Sequence, residues 1–208
     1  LADLQIYEAM GVSLGGFEAY IGSILLLFVP LLLSVYVIVN GTAALAGEEE
    51  DGRLELLVTL PLPRWQILLA KALAVSISSF LILLIVSLVA IPVFELIKDQ
   101  LDTDLSTLDL VFAMLSTWPL VFAMAAISIF LATFAARRRY AAILAAMVLV
   151  IGYFGDNLSN STSALERFEP LFIFHYLDTT GQGVLEGQAG GDVLILFAMG
   201  VVALALAV

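Results

Sequence analysis

Long stretches without a single charge set the terms for this chain. No Asp, Glu, Lys, Arg or His occurs in residues 19–47, 72–94, 110–136, 140–155 or 193–208. About 20 apolar residues in a helix cross roughly 30 Å of hydrocarbon. The first three stretches exceed that length. The fourth is shorter and can reach both interfaces through Arg139, Tyr140 and Tyr153. The fifth runs to the last residue given. The stretches are continuously apolar and do not alternate, which disfavours a β-barrel. Backbone groups in lipid must be satisfied within the segment, so helices remain. The expected fold is an all-α, polytopic membrane helix bundle with five visible spans over residues 21–46, 65–97, 108–136, 139–154 and 191–208. Pro30 and Pro119 are expected kinks, and Pro92 lies near the outer end of the second span.

Six of the eight basic residues fall in two loops. Arg53, Arg64 and Lys71 lie between spans one and two. Arg137, Arg138 and Arg139 lie between spans three and four. Both loops share a side if each span crosses once, and the positive-inside rule makes that side cytoplasmic. Fourteen of the nineteen acidic residues fall outside. An acidic outer face reads as a solvated surface or as an attractor of cations. This topology leaves Leu1 outside with no span before it. One further helix is therefore expected ahead of Leu1, making six in the full protein, and the last span stops without a cytoplasmic tail, so the chain is expected to be cut at that end too.

The net charge of −11 argues against nucleic acid as a partner. There is no cysteine, so disulfides, thiol chemistry and cysteine metal sites are excluded. His175, the only histidine, lacks the ligand neighbours of a metal centre and reads as part of an aromatic cluster with Phe172, Phe174 and Tyr176. Ser76, Ser78, Ser79 and Ser87 lie along span two with no base partner, and read as helix–helix hydrogen-bonding groups. No ionisable residue lies at mid-membrane, which disfavours an ion-coupled transporter.

The most informative stretch is residues 47–71, GEEEDGRLELLVTLPLPRWQILLAK. Acids open it, where a helix N-terminus favours negative charge. Leu54, Leu57 and Val58 follow at helical spacing. Pro61 and Pro63 end the pattern. Residues 47–60 thus read as a short amphipathic helix at the cytoplasmic surface. Residues 156–190 read as a long outer loop with short helices.

The order of residues in this stretch resembles the signature of type-2 ABC exporter permeases. A Glu-rich entry (Glu48, Glu49, Glu50) is followed by Gly52, Leu54-Glu55-Leu56-Leu57, Pro61, Arg64 and Lys71. Arg53 stands where Thr is usual, and Leu62-Pro63 replaces a Val-Ser-like pair. A second, weaker likeness is Pro170-Leu-Phe-Ile-Phe-His-Tyr ahead of the last span. The resemblance implies that residues 47–60 are a coupling helix that docks on an ATPase subunit. Glu48, Glu49, Glu50 and Glu55 would contact that subunit or orient the helix, with Gly52, Leu56, Leu57 and Pro61 in the same motif. Arg64 and Lys71 would anchor at the inner interface and pair with the acids. It also implies a second permease copy, as homodimer or heterodimer, in a prokaryotic plasma membrane. No P-loop ending in Lys-Ser/Thr occurs, so the chain is expected to be a non-catalytic subunit with no cofactor of its own. ATP and Mg would be bound by the partner. The alternative is a non-transporting membrane scaffold or assembly factor.

Overall fold

A computed structural model describes residues 22–50, 63–98, 106–135, 137–161, 166–177 and 190–208. Among these, every regular element is helical. Segment one is built around α1, Val29–Thr42, flanked by π-helical turns over Gly22–Phe28 and Ala43–Gly47 and closed by the turn Glu48–Glu50. Segment two is α2, Arg64–Lys98. Segment three is split into α3, Thr107–Leu115, and α4, Trp118–Phe134. Segment four is α5, Arg138–Ser161. Two 3-10 helices, Glu166–Leu171 and Ile173–Tyr176, precede α6, Gly190–Ala207.

Among the described residues, four helices are long and apolar enough to cross a membrane: Leu25–Gly47, Trp65–Leu96, Thr107–Phe134 and Arg138–Ser159. The shortest has 22 residues and rises about 33 Å at 1.5 Å per residue. The apolar stretch of α6 is shorter, Asp192–Ala207.

Proline chemistry sets the irregularities. Pro30 sits in the first turn of α1. It has no N–H to offer the Leu26 carbonyl, and its ring crowds that carbonyl. The π-helical turns that end at Phe28 lie on this side of it. Pro119 sits in the first turn of α4, and the chain breaks just before it at Ser116 and Thr117. The hydroxyls of Ser116 and Thr117 donate to the carbonyls of Ala113 and Met114 at 2.7 Å each. The expected kink is thus a full break two residues upstream of Pro119. Pro92, by contrast, lies inside an α2 that continues to Lys98.

Helix α4 is the centre of the bundle, packed against α1, α2, α5 and α6. Leu120, Val121, Ala123, Met124 and Ile129 are fully buried along it. Small residues let its neighbours come close. A Cβ on Gly41 of α1 would meet Ser128 Cβ at 3.2 Å, and one on Gly200 of α6 would meet Phe122 Cε1 at 2.6 Å. Of the four membrane-length helices, α2 and α5 are the most exposed: only 22% and 28% of their windows are buried, against 61% for segment three. Leu73, Ile77, Ile85, Val89, Ile143 and Ile151 are exposed there, as lipid or subunit contacts require.

Two expectations are corrected. Segment four does not end near Phe154; α5 runs on to Ser161, through Asp156. Asp156 marks where charge begins, not where the helix ends. Asn157 Nδ2 and Ser159 Oγ donate back to the carbonyls of Tyr153 and Asp156, bonds compatible with a continuing helix. The serines of span two bond mostly within their own helix: Ser78, Ser79 and Ser87 donate to the carbonyls of Val75, Ser76 and Leu83. A carbonyl three or four residues back is always within reach of a helical hydroxyl. Ser78 alone of these also meets another helix, accepting from the Tyr36 hydroxyl at 3.3 Å.

Candidate functional site at the basic end of the bundle

Segment one changes pitch at its basic end. Over Ala43–Gly47 the helix widens to π-helical turns, and its carbonyls are re-aimed relative to an α-helix. Two cations from other segments meet it there. The Lys71 ammonium of α2 donates to the Ala44 carbonyl and to the Glu48 carboxylate. The Arg138 guanidinium of α5 donates through Nη2 to the Val39 carbonyl at 3.3 Å. The Arg138 backbone N–H donates to Glu50 Oε1 at 3.0 Å. That carboxylate therefore caps the first turn of α5, where the helix dipole favours negative charge.

Lys71 is 14% exposed and Glu48 32% exposed, so this ion pair is half withdrawn from solvent. Beside it, Asn40 Nδ2 donates to the Tyr36 carbonyl at 2.8 Å. Tyr36, Asn40, Lys71, Ser78, Glu48 and Arg138 line one open cavity of about 510 Å³.

Of the residues singled out in the sequence, Glu48, Glu50 and Lys71 converge on this joint. Glu49 lies in the same turn, and Arg64 opens α2, but the side chains of both lie outside the described residues. So do Gly52, Glu55, Leu56, Leu57 and Pro61, and with them residues 51–60 of the expected coupling helix. Glu48–Glu50 continue segment one without a break. Arg138 is the residue that sequence reasoning overlooked. It counted there as one of three like charges, yet its partners Glu50 and Val39 lie 88 and 99 positions away. No local spacing signals such a contact.

The opposite end carries a second polar cluster. His175 Nδ1 lies 3.0 Å from Glu169 Oε1 and 3.9 Å from Asp156 Oδ1. Its ring meets Tyr176 edge-on at 5.0 Å. Among the described residues no group of three or more His, Cys, Asp or Glu could hold a metal. The 3-10 pair Glu166–Tyr176 seats Phe172 against Gly155 and Ile173 against Gly152 of α5.

Several long apolar helices around one buried helix, with charge confined to the ends, define a multi-pass membrane protein of the helical-bundle class. The chain belongs to the ABC-2 family of transporter proteins, whose description, ABC-2 family transporter protein, matches residues 5–208. It is a membrane permease of ABC transporters, and membership implies association with an ABC ATPase subunit. No curated protein and no solved structure matches the chain.

Proposed function

We propose that this permease exports its substrate by alternating access, driven by ATP hydrolysis in a partner subunit that binds the ATP and Mg. Two permease copies form the pathway, in a prokaryotic plasma membrane with the basic end inside. Residues 47–60 dock on the ATPase subunit, through Glu48, Glu49, Glu50 and Glu55. The observation that carries this reading is the joint between Glu48 and Lys71. The acidic entry to the docking segment is continuous with segment one and salt-bridged to segment two. A push on the docking segment would therefore reach both helices. A partly solvated pair such as this one contributes only about 1–2 kcal/mol, so the role is positional.

The test uses the full chain with its ATPase subunit in nanodiscs. Replacing Glu49 and Glu55 by Ala is expected to lower capture of the ATPase and its hydrolysis rate by about tenfold, the order of one or two charged contacts. Unchanged capture and unchanged hydrolysis would defeat the docking assignment. A wild-type chain that captures no ATPase would favour a non-transporting scaffold. The mainly apolar interior suits lipids and hydrophobic drugs, and a panel of these is expected to stimulate hydrolysis.

A further inference from the structure

We propose that Arg138 is a positioning residue that makes segment four a driven part of the motion. This rests on the docking assignment above and extends it from segments one and two to a third helix. Three arginines stand at the head of α5, and they do different things. Arg137 is exposed. Arg139 is exposed, donates to the Tyr140 hydroxyl at 2.8 Å and lies 4.8 Å from that ring, an arrangement that fits an interfacial anchor. Arg138 alone turns inward onto segment one.

Three contacts hold it there. Its guanidinium takes the Val39 carbonyl at 3.3 Å. Its own backbone N–H is capped by Glu50 at 3.0 Å. Its stem lies along Gly47, where an added Cβ would stand 3.4 Å from Cδ and 4.0 Å from Nε. These contacts span the π-helical turns Ala43–Gly47 from Val39 before them to Glu50 after them. Lys71 grips the same turns at Ala44 and Glu48. A helix gripped at two heights cannot shift or rotate while segment four stays still unless the guanidinium lets go. The general attraction of basic residues to the inner leaflet needs none of this geometry. Arg137 and Arg139 serve that purpose without it.

The chain has no cysteine, so labelled pairs can be introduced cleanly. Val35 on α1 and Ile143 on α5 are 48% and 50% exposed. Spin labels at V35C and I143C, in chains diluted with unlabelled permease so that only the pair within one copy is read, are followed by electron–electron double resonance in the complex with the ATPase subunit, nucleotide-free and with ATP–vanadate. With Arg138 present, one narrow distance distribution is expected, unchanged by nucleotide. In R138A a second population is expected, about tenfold above its wild-type level, the size of a lost charged hydrogen bond. R138K keeps a donor and is expected to restore the single distribution. R137A and R139A are expected to match wild type. Should R138A fail to accumulate, R138M is read in its place, because it keeps the stem on Gly47 and removes only the donors. If the complex assembles and the Arg138 variant matches R137A, the inference is overturned while the docking assignment stands. If wild type captures no ATPase subunit, the docking assignment is what fails.

Discussion

The Lys71 ammonium bridges the Ala44 carbonyl and the Glu48 carboxylate, so one side chain of segment two fixes both the wide turns of segment one and the acid that follows them. Replacing Lys71 by Met keeps the stem and leaves both acceptors without this donor. The expected cost is about 1–2 kcal/mol, at the low end for a charged bond because Glu48 is partly solvated. Adding Glu48→Gln removes the stranded charge and is expected to recover part of that loss. Thermal unfolding of the two single variants and the double variant in nanodiscs closes the cycle. Strict additivity would show that the bridge is not a coupled unit.

The close approaches around α4 make a second prediction. Gly200 has Phe122 Cδ1 at 2.8 Å and the Ala123 backbone Cα at 3.3 Å from where a Cβ would stand. The ring can swing, but the backbone cannot. Gly200→Ala is expected to cost about 1–3 kcal/mol through overpacking. Pairing it with Phe122→Leu frees the ring's share of the space. The unfolding midpoint is expected to fall for Gly200→Ala and to rise partway back in the pair.

Much of this bundle is legible from where charge is missing. The gaps at residues 72–94 and 110–136 become α2 and the α3–α4 pair, because a charge inside hydrocarbon is costly and its absence is informative. The irregularity at Pro119 was legible as a kink because proline lacks an N–H, but the same chemistry at Pro92 leaves α2 unbroken, so the full break was not. Other features leave no such trace. The extension of α5 through Asp156 is hidden because a charge ends a membrane span without ending a helix. The approaches at Gly41 and Gly200 depend on which helices become neighbours. The joint was half visible: Glu48 and Lys71 belong to one local motif, whereas Arg138 reaches it only through the tertiary fold. Residues 51–62, which hold most of the proposed docking motif, lie outside the described residues.

Trp118 separates two contributions usually measured together. Its ring stacks edge-on with Phe80 at 5.2 Å and Phe197 at 5.5 Å. Its indole N–H is buried and meets no hydrogen-bond acceptor among the described residues. Trp118→Phe keeps an aromatic ring and deletes a polar group that makes no such bond. It is expected to cost less than about 1 kcal/mol, whereas Trp118→Ala is expected to cost about 3–5 kcal/mol through the cavity it opens. Equal losses in thermal unfolding would mean that the N–H contributes a bond of its own.

At the acidic end, Gly155 provides the space for the Phe172 ring. A Cβ there would lie 2.2 Å from Phe172 Cε1 and 2.5 Å from Cδ1, closer than any side chain tolerates. The ring has little room to yield, since its neighbour Ile173 is buried beside Gly152. Gly155→Ala should therefore lift the 3-10 pair from α5 and leave the bundle intact. The local loss is expected to be about 1–3 kcal/mol. Hydrogen exchange reads it directly. The His175 and Leu177 amides donate to the Phe172 and Phe174 carbonyls at 3.1 Å and 2.9 Å. Their exchange is expected to quicken by about tenfold or more, because exchange reports the local opening free energy. Amides of α4 should keep wild-type rates, since that helix is held mainly by α1, α2, α5 and α6. Combining Gly155→Ala with Phe172→Ala removes the clash together with the ring. If the pair exchanges as fast as Gly155→Ala alone, the ring is not the obstacle, and the segment is held by the contacts of Glu169 and Asp156 with His175 instead.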